Sequence, residues 1–114
     1  MKRLYLFPVF FICLFPACEQ QNMETDVPAC IEDKITLIKA AAVTNPPAEV
    51  WEWKTGAKSY YYFTSECCDF YNYLFDDSCT EICAPDGGFA GEGDGKCPDF
   101  KEPIIKKLVW KDDR

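Results

Sequence analysis

The hydrophobic pattern changes several times along the chain. After Met1-Lys2-Arg3 comes an apolar stretch, Leu4–Leu14, broken by Pro8. It is shorter than the ~20 residues needed to span a bilayer and has the form of an export signal rather than a membrane helix. Residues 19–27 are polar and acidic without periodicity, which suits a tether. Ile31, Ile35, Ile38 and Ala42 then repeat at helical spacing, with Pro28 in the first turn and Glu32 and Asp33 where the helix dipole favours anions. The spacing predicts a helix over 29–42, ended by Asn45-Pro46-Pro47 because proline cannot continue the hydrogen-bond ladder.

The pattern next turns to period two. Glu49–Lys54 and Lys58–Phe63 flank Thr55-Gly56-Ala57 and read as a β-hairpin. Trp51 and Trp53 share one face of the first strand; Tyr60 and Tyr62 share one face of the second, and Tyr61 and Phe63 the other. Flat rings in this density suit a sugar or an apolar ligand, yet they also fill a small sheet packed on one helix, and the core reading is preferred. Residues 64–79 read as a short helix or irregular loop rich in aromatics. Thr80–Ala84 reads as a third strand with Ile82 inward, stopped by Pro85-Asp86-Gly87-Gly88. Lys106–Lys111 alternates as a strand would, although Ile104/Leu108 and Ile105/Val109 also fit a helix; strand is preferred.

The expected fold is therefore α+β, with one N-terminal helix packed on a small antiparallel sheet of 3–4 strands. Eight cysteines change the picture. Leu14-Phe15-Pro16-Ala17-Cys18 resembles a lipobox, which makes Cys18 the lipidated first residue of the mature protein. The domains are then a signal peptide at 1–17, a tether at 18–27 and a single domain at 28–114. Cys30, Cys67, Cys68, Cys79, Cys83 and Cys97 remain, an even set in a short exported chain, and predict three disulfides among fifteen possible pairings. A bond between the adjacent Cys67 and Cys68 would close a strained ring, so each is expected to reach a different partner. Zinc is the rival use, but the spacings lack paired CxxC ligands and there is no histidine.

Net charge is −7 for the whole chain and becomes −9 when Lys2 and Arg3 leave with the signal. That balance argues against nucleic acid, which needs clustered Lys and Arg. The glycine-rich stretch 86–99 offers Asp86, Glu92, Asp94 and Asp99 as weak calcium candidates, without the alternating ligands of an EF-hand loop. No cofactor is otherwise expected. Without histidine there is no usual general base, and Ser59, Ser65 and Ser78 sit in no nucleophile elbow, so no enzyme is expected and no catalytic residue is assigned.

Three sequence blocks, Cys67-Cys68-Asp69, Ile82-Cys83-Ala84-Pro85-Asp86-Gly87-Gly88 and Gly91-x-Gly93-Asp94-Gly95-Lys96-Cys97-Pro98-Asp99-Phe100, resemble a family of short uncharacterised lipoproteins of Bacteroidetes-type bacteria. The resemblance implies an envelope location and a single domain, and transfers no activity. The leading expectation is a lipid-anchored envelope protein facing the periplasm or the exterior. It would be a non-catalytic interaction module using the Pro85–Pro98 loop and nearby aromatics to bind an unknown protein or small ligand. The alternatives are an inhibitor that inserts this loop into an extracytoplasmic hydrolase, a calcium-binding domain, and a thiol–disulfide redox protein using Cys67 and Cys68.

Overall fold

The computed structural model describes residues 27–67 and 69–114. Helix α1 spans Ala29–Ala40, and five strands follow: β1 Glu49–Thr55, β2 Lys58–Phe63, β3 Tyr71–Asp76, β4 Glu81–Gly87 and β5 Ile104–Lys111. All pair antiparallel, in the order β4-β3-β2-β1-β5. The sheet thus has five strands, not the 3–4 expected. The fifth strand is β3, in the segment read as a helix or loop, where aromatic Tyr71, Tyr73 and Phe75 alternate with Asn72, Leu74 and Asp76.

The helix is two residues shorter than its periodicity suggests. At Ala41 the backbone turns extended (φ −91°, ψ 170°), and Ala42 lies exposed beyond it. The Arg114 guanidinium takes over there, donating to the carbonyls of Lys39 and Ala41 at 3.0 Å and of Ile38 at 3.3 Å. It is itself held by two bonds to Asp112, Nε to Oδ1 at 2.9 Å and Nη2 to Oδ2 at 2.7 Å. The carbonyls at the helix C-terminus, of which that of Ile38 also accepts from the Ala41 amide, thus meet a cation, which the helix dipole favours.

The period-two pattern places side chains on two unlike faces. Val50 and Tyr61 meet Ile31 and Ile35 of α1 in one core, with Phe63, Phe75, Val109 and Trp110 packed around them. On the other face Trp53, Leu74 and Cys83 form a second cluster, joined by Cys97, Phe100 and Ile104 from the segment that leads into β5. The hairpin reading holds in detail: Trp53 pairs with Tyr60, Thr55 with Lys58, and Gly56 turns the chain at φ 57°. Strand β4 runs through Pro85 to Gly87 instead of stopping at Pro85. As an edge strand it tolerates a residue that lacks a backbone donor.

Two disulfides tie these elements together. Cys30 of α1 bonds Cys79 after β3, and Cys83 of β4 bonds Cys97 fourteen residues later. Cys67 is also disulfide-bonded. Such bonds indicate an oxidising, non-cytoplasmic location. Among the described residues no helix is long and apolar enough to cross a membrane.

Candidate functional site

The Pro85–Pro98 loop leaves the edge strand and returns to it. The Cys83–Cys97 bond closes its base, with a Cα separation of 5.0 Å. Backbone bonds fix the interior: Gly93 donates to the Gly87 carbonyl at 3.1 Å, Asp94 to Ala84 at 3.0 Å, and Gly91 to Gly88 at 3.1 Å. Two glycines are structural necessities. At Gly88 (φ 77°) a Cβ would lie 2.5 Å from the Tyr71 ring, and at Gly93 (φ 76°) it would run into the Ala84 carbonyl. The Lys96 amide donates to Asp94 at 3.0 Å and holds that carboxyl below the usual range.

This frame carries Phe89, which is 94% exposed. A phenylalanine offered so fully from a closed loop is unusual, because its burial would normally contribute about 1.5–3 kcal/mol. Phe70 and Tyr71, also exposed, stand beside the loop: Gly88 donates to the Phe70 carbonyl at 3.0 Å, and the Tyr71 ring lies against Gly88. Tyr71 continues the apolar surface into a cleft of about 320 Å³ between α1 and β3, lined by Leu37, Phe63, Tyr73 and Phe75 among others. The Lys34 ammonium sits 4.2 Å from the Phe75 ring centre in this cleft. Tyr71 joins loop and cleft into one aromatic surface; the acidic Glu92 and Asp94 belong to the loop and Asp69 precedes Phe70 in the chain.

Behind the loop lies a polar network. The Asp86 carboxylate accepts from the Tyr62 hydroxyl at 2.7 and 2.9 Å and from Asn72 Nδ2 at 2.7 Å. Asn72 Oδ1 in turn accepts from the amide and hydroxyl of Ser65 at 2.7 and 3.0 Å. Burial pushes the Tyr62 phenol above its ordinary value, and the neighbouring Asp86 charge adds to the rise. The network anchors the start of the loop to β2 and β3. It leaves Tyr62 protonated and therefore unsuited to act as a base.

The predicted site residues meet different fates. Cys18 and Cys68 lie outside the described residues, as do the signal and nearly all of the tether. Cys30, Cys79, Cys83 and Cys97 are in disulfides and so offer no thiolate to zinc. The weak calcium candidates are not brought together: Asp86 belongs to the Tyr62 network, Asp94 caps a turn, Glu92 bridges to Gly87 within the loop, and Asp99 is exposed beyond Cys97. Among the described residues no three or more of His, Cys, Asp and Glu gather as a metal site. Asn72, Lys106, Asp112 and Arg114 escaped the sequence reading. Asn72 and Lys106 left a signal there only as members of alternating runs, 71–76 and 106–111.

A family model described as "Domain of unknown function (DUF6970)" matches residues 36–112. No curated protein and no solved structure matches the chain.

Proposed function

Because the chain belongs to the DUF6970 family, which carries no known activity, we propose a function from its own residues: a non-catalytic module of the cell envelope, anchored by lipid at Cys18, that binds another extracytoplasmic protein through the Pro85–Pro98 loop. The observation that carries this is Phe89, 94% exposed on a loop closed by a disulfide. A loop ordered before binding loses less entropy on contact, and an aromatic anchor is the usual centre of such a contact. Tyr71, Phe70 and the neighbouring cleft extend the surface, while Asp69, Glu92 and Asp94 call for a partner whose apolar pocket has a basic rim. The lack of histidine and the oxidised state of Cys30, Cys79, Cys83 and Cys97 support a non-catalytic role. A hydrolase inhibitor is the second reading, favoured by the same closed loop.

Two measurements test this. Intact mass of protein extracted from native membranes is expected to begin at an acylated Cys18; a start elsewhere removes the anchor. A photoreactive phenylalanine analogue at position 89 is expected to cross-link one discrete envelope protein, whose binding Phe89→Ala weakens by about tenfold or more at unchanged thermal stability. Unchanged affinity in Phe89→Ala would remove the loop from the function. A cross-linked hydrolase that loses activity at equimolar protein would select the inhibitor reading.

A further inference from the structure

Helix α1 covers one face of the sheet; the other is only partly covered. Past the segment carrying Cys97, Phe100 and Ile104, a pocket of about 200 Å³ lies over β1 and β2, lined by Trp51, Trp53, Tyr62, Asp86 and Lys106. Its floor is fixed. Trp53 stacks on Tyr62 with ring centres 5.1 Å apart and planes 18° from parallel, and the Lys106 ammonium lies 4.3 Å from the Trp53 ring centre. Trp51 is a half-buried wall whose orientation is set by its indole N–H, which donates to Glu49 Oε2 at 3.0 Å. Glu49 is tied in turn to Lys111 at 3.6 Å.

The pocket's polar groups have opposite charge and are not spent on each other. Asp86 is held in place by Tyr62 and Asn72, and among the described residues no ion pair joins Lys106 to a carboxylate. This combination narrows the ligand. An anion would meet the Asp86 charge and a cation the Lys106 charge. A wholly apolar molecule would strip water from both groups and return no hydrogen bond, a loss that buried polar groups make costly. A neutral polyol with one flat apolar face satisfies all of them.

We propose that this pocket binds one ring of a neutral saccharide, its C–H face against Trp51 and its hydroxyls donating to Asp86 and accepting from Lys106. The site shares Asp86 with the root of the loop but does not include Phe89, so Phe89→Ala separates the two readings.

The test uses the full-length, ¹⁵N-labelled chain, titrated with cellotriose, maltotriose, laminaritriose, chitotriose and mannotriose as probes, with the Trp51 indole N–H resonance as readout. At least one probe is expected to shift that resonance saturably at millimolar concentration. Trp51→Ala is expected to weaken the binding of that probe by about tenfold or more, followed by backbone shifts at Tyr62 and Asp86. Since Trp51 also packs on the second core cluster, Lys106→Met at an exposed position is the companion variant, expected to weaken binding while leaving the thermal midpoint in place. Phe89→Ala is expected to bind the saccharide as the unaltered chain does. No saturable shift with any of the five probes overturns the proposal. So does binding that survives both Trp51→Ala and Lys106→Met.

Discussion

Tyr62 is a tyrosine whose proton the fold holds. Burial and the Asp86 carboxylate both resist its ionisation, so its folded pKa stands above the unfolded value of about 10. Its contribution to stability is therefore complete below about pH 10 and is lost as pH climbs from there towards the raised folded value. Tyr62→Phe is expected to cost about 1 kcal/mol at neutral pH, through the bonds Asp86 loses. It is also expected to flatten the fall in stability above about pH 10. Urea melts of both proteins across that range check this; parallel curves would mean that Tyr62 ionises freely. The role of Tyr62 was half legible in the sequence. Alternation put it on the same face as Tyr60, but its partners Asn72 and Asp86 come from β3 and β4, and their pairing depends on a strand that was not expected.

At the scale of elements, the helix and hairpin were legible because each is a local pattern: isoleucines at helical spacing, and two aromatic runs around Gly56. Strand β3 was hidden by its flanks. Cysteines at 67, 68 and 79 drew the segment towards a loop, and only cross-strand partners reveal the strand. The end of α1 was hidden for a related reason, since the group that receives its carbonyls, Arg114, lies 73 residues beyond Ala41 in sequence. Asp112, only 2% exposed, orients that guanidinium, and the two bonds from Arg114 hold its carboxyl below the usual carboxylate range. A depressed carboxylate stabilises the fold above its unfolded pKa of about 4 and loses that contribution as pH falls through the lower folded value. Asp112→Asn is thus expected to lower the thermal midpoint at pH 6, with the gap to the unaltered chain narrowing as the pH is taken below about 4. A gap that stays constant with pH would mean that the carboxylate charge does not matter here.

The whole molecule rests on two thin cores either side of one sheet, and the disulfides compensate. That cysteines of the domain would serve as cross-links was legible from their even number in a short exported chain, and among the described residues Cys30, Cys67, Cys79, Cys83 and Cys97 are bonded; which cysteines pair was not legible, because pairing follows from the sheet order. In the chain-entropy account the bond closing the longer loop stabilises more: about 4 kcal/mol for Cys30–Cys79, spanning 49 residues, against about 3 kcal/mol for Cys83–Cys97, spanning 14. Denaturant melts of Cys30→Ala/Cys79→Ala and Cys83→Ala/Cys97→Ala are expected to rank in that order. The reverse order would show that the smaller loop organises more of the sheet than its own length suggests. The glycines of that loop also bear on how the family diversifies. Positions 88 and 93 have no room for a side chain, whereas 89, 90 and 92 point into solvent. Among relatives, substitutions should therefore accumulate at the tip while the frame stays fixed, so that one scaffold is retuned to new partners through a few side chains.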